Sequence, residues 1–320
     1  MKKHILYFLP ALAVLFGFTA CTSDDITDGG QQQTEVTGDD VIVKAGIGAN
    51  SVFTRSNPIG TEAEQRVFNS GDMIRIYDES GNDCYYKLEG TVWNYNNNKF
   101  GGAQLKWDTD KKSFYAAYPQ DIDENRARNN YYKGKDDFWS GVYGDQSEAE
   151  TLALCDVMYA DTATNVKPNN HTITLNFKRQ TARIILKFNF NEQFQGLNPS
   201  VSDLKVNGVW NYSSGRRVGD RGDFIPYHDT TNNQYIVLVF PQEKDDAQPF
   251  LKLTVQHAKD AYGSESEVLT LTGIPALDKG MSYTFNVLVG KEKVSIGNVS
   301  VNDWGDGGTL GTGEASETYK

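Results

Sequence analysis

Apolar and polar positions alternate with a period of two along most of this chain. From Val41 the odd positions read Val41, Val43, Ala45, Ile47, Ala49, Ser51 and Phe53, while Lys44, Gly46, Gly48 and Asn50 fall between them. Side chains on a strand point to opposite faces in turn, so this pattern predicts a half-buried strand over 41–53. Short strands are predicted at Met73–Tyr77, Cys84–Leu88 and Phe114–Tyr118, each bounded by turn formers such as Asn69-Ser70-Gly71-Asp72, Ser80-Gly81-Asn82-Asp83 and Pro119. A second strand-rich block follows Lys167-Pro168-Asn169-Asn170. In it Ile173, Leu175 and Phe177 alternate, as do Ile184, Leu186, Phe188 and Phe190, then Leu251, Leu253 and Val255, then Tyr283, Phe285, Val287 and Val289. Tyr235–Phe240 is apolar on both faces, which predicts a central strand covered on both sides.

Strands in runs, with no long amphipathic helix between them, imply antiparallel sheets and an all-β fold of tandem sandwiches. The expected division is an N-terminal sandwich over 40–168, a C-terminal sandwich over 169–306 and a flexible tail over 307–320. Residues 121–150 lack a clean period and are expected to form a long surface loop with a helical turn near Ser147–Leu154. The last strand is predicted over Val294–Trp304, with a bulge at the Gly297-Asn298 step.

The N-terminus follows a different pattern. Lys2 and Lys3 precede an apolar run from Ile5 to Phe18, about 14 residues long and shorter than the roughly 20 that span a bilayer. This suits the core of a secretory signal over 1–20. Thr19 and Ala20 then lead into Cys21, an order that resembles a bacterial lipobox, with Phe18 where an aliphatic residue is usual. On that pattern Cys21 carries the lipid and anchors the precursor to the outer membrane; the alternative is a plain secretory signal in which Cys21 has no role. Residues 21–39 are polar and acidic, a disordered tether resembling the surface-export signals of Bacteroidetes lipoproteins.

Composition narrows the function. The net charge is −11 and no basic run stands out to track phosphates, so nucleic acid is not an expected partner. Thirty glycines and 12% aromatics suit short strands joined by turns. Cys84 and Cys155 allow one disulfide or two buried thiols. His171, His228 and His257 are far apart in sequence, and no metal-ligand spacing, nucleophile elbow or phosphate loop is present. No catalytic residue, metal or cofactor is therefore expected. Asp121-Ile122-Asp123-Glu124-Asn125 opens like a calcium loop but meets Arg126 at the turn-glycine position. Arg221-Gly222-Asp223 spells an integrin-type tripeptide, expected as a turn. Trp93, Tyr95, Trp107, Trp139 and Tyr143 could stack on sugars or fill a core. Asp161-Thr162-Ala163 and Asp229-Thr230-Thr231 resemble Bacteroidetes O-glycosylation acceptors.

Four stretches taken in order resemble the Bacteroidetes fimbrillin superfamily, the subunits of type V pili. They are Val67–Ile74 (VFNSGDMI), Cys155–Ala160 (CDVMYA), Ile173–Leu186 (ITLNFKRQTARIIL), and the ending LDKGMSYTFNVLV from Leu277 together with VSVNDW from Val299 to Trp304. The resemblance implies two transthyretin-like antiparallel β-sandwich domains and a cell-surface structural subunit rather than an enzyme. It also implies a mechanism. A trypsin-like protease cuts after an Arg that follows the first strand, that strand leaves, and a strand from another fimbrial subunit fills the groove. Arg55-Ser56 is then the cleavage site, with Arg66 second, and Val294, Ile296, Val299 and Val301 are the donor-strand residues. Five or six buried alternating side chains are worth at most roughly 10 kcal/mol at about 25 cal/mol per Å². The competing function is a non-polymerising surface lipoprotein that binds glycans or a host or bacterial surface receptor.

Overall fold

Half-apolar strands need a second surface to cover them, and this chain supplies it twice, in two separate cores. The computed structural model describes residues 38–47, 59, 65, 68–97, 101–120, 130–162, 165–214, 220–259 and 263–304. The first sheet contains β1 (Ile42–Ile47), β2 (Met73–Asp78), β3 (Asp83–Glu89), β4 (Val92–Asn96), β5 (Phe114–Tyr118), β6 (Met158–Asp161) and β7 (Thr172–Arg179). Their order is β1-β7-β6-β5-β2-β3-β4, and the sheet closes on itself where Val43 of β1 meets Trp93 of β4. The inward residues Ile74, Ile76, Cys84, Tyr86, Phe114, Ala116, Leu175 and Phe177 fill the interior, with Phe68 edge-on to Trp93, Tyr118 and Phe177.

The second half holds β8 (Ala182–Phe190), β9 (Ser200–Val209), β10 (Arg221–Phe224), β11 (Tyr227–Asp229), β12 (Gln234–Val239), β13 (Asp245–Ala258), β14 (Ser264–Ile274), β15 (Met281–Val289) and β16 (Val294–Asp303). They form sheets of order β11-β12-β8-β15-β16 and β10-β9-β13-β14. The predicted alternations bury as expected: Ile184 and Leu186, Leu251, Leu253 and Val255, Phe285, Val287 and Val289 all belong to this core. From Ile236 to Phe240 the strand is buried on both faces. Buried Gln146 clamps it, donating to the Leu238 carbonyl (2.8 Å) and accepting from the Leu238 amide (2.9 Å). Leu152, Cys155 and Val157, around helix α1 (Ala149–Ala153), pack into the same core.

The fold is an all-β sandwich fold whose topology goes beyond the expected plan. The first sheet closes into a seven-stranded barrel. Two neighbouring pairs are parallel, β1 with β7 and β8 with β15; a parallel pair requires a long connection, and here whole runs of strands intervene. The passage between the two sheets falls at Gln180-Thr181, between β7 and β8. Pro168 forms only a local turn, accepting from the His171 amide (3.0 Å). Part of the expected surface loop is also ordered: Tyr131–Tyr132 and Phe138–Gly141 make a small sheet with Asn211–Ser213, held by stacked and tilted contacts among Tyr132, Phe138, Tyr159 and Tyr212.

A buried charged node spans the passage between the sheets. Arg179 ends β7 and is fully buried with Asp156; its Nε lies 2.9 Å from Asp156 Oδ1 and its Nη2 3.0 Å from Oδ2. Nη1 donates to the Trp304 carbonyl (3.0 Å), Nη2 donates to the Gln65 carbonyl, and the guanidinium lies 4.3 Å from the centroid of the Trp304 ring. Trp304 Nε1 in turn donates to Gln65 Oε1 (3.0 Å). Removing one partner of such a pair leaves the other charge buried and unmatched. Arg179→Met is expected to cost about 3–5 kcal/mol in equilibrium urea unfolding. The double variant Arg179→Met/Asp156→Leu should cost clearly less than the sum of the single changes.

Candidate functional site

The first and last strands are held in opposite ways, and that contrast defines the candidate site. β1 lies between two partners. It runs parallel to β7, from Ile42 opposite Thr172 to Ile47 opposite Phe177, and antiparallel to β4 at Val43–Trp93. Val41, Val43 and Ile47 are buried in the barrel, with Ala45 half-buried beside them. Polar contacts fix the approach to the strand. The Val41 amide donates to the Leu105 carbonyl (3.0 Å) and its carbonyl accepts from Tyr86 Oη (2.8 Å). His171 has φ 53°, in the left-handed region. Its carbonyl accepts from both the Ile42 amide (3.0 Å) and Trp107 Nε1 (3.0 Å). Ion pairs Asp40–Lys106 and Asp39–Lys167 tie down the residues just before the strand.

β16 lies at an edge. It pairs antiparallel with β15, and among the described residues no strand pairs with its outer side. Val294, Ile296, Val299 and Val301 stand opposite Val289, Val287, Phe285 and Tyr283. All four partners are buried, so all four β16 residues face the core, Val294 buried and the others half-buried. Two even and two odd positions share one face because the register shifts between Asn286 and Val287, leaving Gly297 extra. That is the expected bulge. A Cβ at Gly297 would sit 3.2 Å from Leu288 Cγ and 3.3 Å from the Asn286 carbonyl oxygen, tight for any other residue.

Other sequence candidates separate here. Cys21, Arg55, Ser56, Arg66 and the Asp121–Asn125 run lie outside the described residues. Cys84 and Cys155 are both buried thiols outside any disulfide, one in each core; burial pushes the Cys84 thiol up to about 12. Arg221-Gly222-Asp223 is not a turn but part of strand β10, with Arg221 on Gln242 (3.0 Å) and Asp223 on Lys252 (3.2 Å). Of the five aromatics considered for sugar stacking, Trp93 and Trp107 are core residues and Trp139 is exposed. Thr162 is buried, with its hydroxyl on the Phe114 amide (2.9 Å), so it is not presented to solvent. The Arg179 node escaped the sequence reading; a lone Asp156 in the apolar run around Cys155, Val157 and Met158 was its clearest signal, while Arg179 lies in the polar stretch Lys178–Thr181.

A fimbrillin-like family model matches residues 54–304. The chain belongs to the fimbrillin-like family. No curated protein matches it. Crystal structures that share its fold include two of proposed cell adhesion proteins. The one from Bacteroides ovatus ATCC 8483 has 14% identity and a TM-score of 0.54, covering 83% of this chain and 97% of that one. The one from Bacteroides uniformis ATCC 8492 has 14% identity and a TM-score of 0.51, covering 85% and 100%. In this fimbrillin-like chain the family match starts after β1, so the strand that closes the barrel precedes the matched region.

Because Tyr86 holds the strand's entry through one buried hydrogen bond, Tyr86→Phe is expected to cost about 1–2 kcal/mol. Hydrogen exchange should show faster exchange of the β1 amides with little change in β12. Uniform acceleration across both sheets would mean that β1 does not open separately.

Proposed function

We propose that this fimbrillin-like protein is a structural subunit of a cell-surface fimbria with a role in adhesion. It is exported as a precursor lipidated on Cys21 and assembled when its first strand is replaced by a strand of another subunit. The observation that carries the proposal is the setting of β1. Both of its edges are paired and its apolar face is buried in the barrel, so its departure would expose the free edges of β4 and β7 beside an apolar groove. A six-residue strand meets the requirements for replacement, since any extended segment with alternating apolar residues can satisfy the same edges. β16 supplies such a segment, an edge strand with Val294, Ile296, Val299 and Val301 on one face. Its partners would then be other fimbrial subunits, a trypsin-like processing protease that cuts at Arg55-Ser56, and the outer membrane by way of the lipid.

A second role has one observation in its favour. Trp139 on the small sheet and Trp210 just after β9 are each more than a third exposed, and exposed indoles suit sugar rings. A surface lipoprotein that binds a glycan or receptor without polymerising would use them.

Protein recovered from the cell surface is expected to begin at Ser56 and to run as a ladder of polymers in SDS without boiling. Arg55→Ala should retain the N-terminal segment and abolish the ladder. Material that stays lipidated at Cys21 and monomeric, and that binds a glycan array only with Trp139 intact, would support the second role instead.

A further inference from the structure

We propose that His257, Glu265 and Glu267 form a zinc-binding site at the end of the β13–β14 hairpin, a site independent of the assembly described above. His257 on β13 stands opposite Glu265 on β14, and Glu267 stands opposite Val255, two residues along the same face. The hairpin thus brings three ligand-type side chains together from positions that look unrelated in sequence. One donor atom from each lies within 4.8 Å of the others.

The His257 ring is oriented for ligation. Its side chain is 1% exposed and Phe194 packs against it edge-on, with ring centroids 5.3 Å apart. Nδ1 lies 2.8 Å from the Ala258 carbonyl oxygen, which can only accept, so Nδ1 carries a proton. A backbone carbonyl on one ring nitrogen is the usual way a ligating histidine is held in the tautomer that turns its other nitrogen to the metal. Nε2 is thereby aimed at Glu267, 2.8 Å from Oε1. The second oxygen, Glu267 Oε2, is buried and has no hydrogen-bond partner among the described residues. A proton shared between His257 and Oε1 leaves Oε2 unmatched, whereas a divalent cation bound by both groups compensates the whole carboxylate.

Glu265 completes the set from the solvent side. It is exposed, and Lys259 Nζ, itself exposed, donates to its Oε1 at 2.6 Å. Three protein ligands and an open solvent side leave the fourth tetrahedral position to water. An imidazole nitrogen with two carboxylates favours zinc over the all-oxygen preference of calcium or magnesium. Donor atoms on one tetrahedral zinc lie about 3.3 Å apart, so Glu265 must close in while His257 and Glu267 part slightly. Bound metal would cross-link edge strand β14 to β13 beside the loop that joins them.

The test is calorimetric titration of zinc chloride into the full chain, untagged and stripped of metal, with calcium chloride run in parallel. The expected result is one zinc per chain, no comparable calcium binding and a zinc-dependent rise in unfolding temperature. Affinity should fall more than about tenfold in Glu267→Gln, since losing a ligand exceeds the loss from an outer-shell partner. Glu265→Gln should also weaken binding, and because Glu265 is exposed that variant tests the site without disturbing the core. Absence of zinc binding, equal binding of calcium, or unchanged zinc affinity in both variants would overturn the proposal.

Discussion

A guanidinium taken out of water must have every donor matched, and that demand organises this molecule. Arg179 is satisfied only when Asp156, the Gln65 carbonyl and the Trp304 carbonyl all arrive together, with the Trp304 ring over its face. Those groups come from the segment before β2, the residue pair before β6, the end of β7 and the residue after β16. Placing one planar fork therefore places four parts of the chain. The adjoining main chain reinforces the fit: Gly280 donates to the Thr181 carbonyl (2.9 Å) and Trp304 donates to the Gly280 carbonyl (2.7 Å). Burial, with the Arg179 charge close by, pushes neighbouring Arg183 down to about 10. The node joins three of the stretches that carry the family resemblance, CDVMYA, ITLNFKRQTARIIL and VSVNDW, and gives them a common physical purpose.

The strands that alternate cleanly were legible because one face of each is buried, as in β7, β8, β13 and β15. Others were not. β14 exposes most of its residues, Val268 included, so its pattern is blurred. β9 carries Asp203 and Gly208, and its register breaks between Ser202 and Lys205. Barrel closure depends on which strand meets which across long separations, and alternation does not encode that. The passage between sheets carries no sequence mark of its own, because prolines and asparagines mark turns while Gln180-Thr181 links two strands without a loop. Hairpin register likewise hid the His257–Glu265–Glu267 trio, since cross-strand neighbours are set by pairing and not by spacing.

The two ends of the fold differ in how much of the strand edge is committed. β1 spends both edges and its apolar face within the barrel; β16 spends one edge and half-buries three of its four valine and isoleucine side chains. A chain with one fully seated strand and one partly seated strand carries both a filled slot and a segment of the same chemistry as the filler. Trp304, immediately after β16, is clamped in the charged node, so the strand's end is anchored even where its flank is open.

Gly297 gives β16 something a plain alternating strand lacks. Without an extra residue, an alternating strand moved along its partner by two positions presents the same apolar face again, and such a strand can be read in several frames. Here the apolar positions run 294, 296, then 299, 301, and the odd step between them has only one counterpart on β15. Slid by two, the kink would fall against regular backbone and turn half of the apolar side chains to solvent. The strand therefore has a single reading frame, written by one glycine whose own Cβ space is already taken by Leu288.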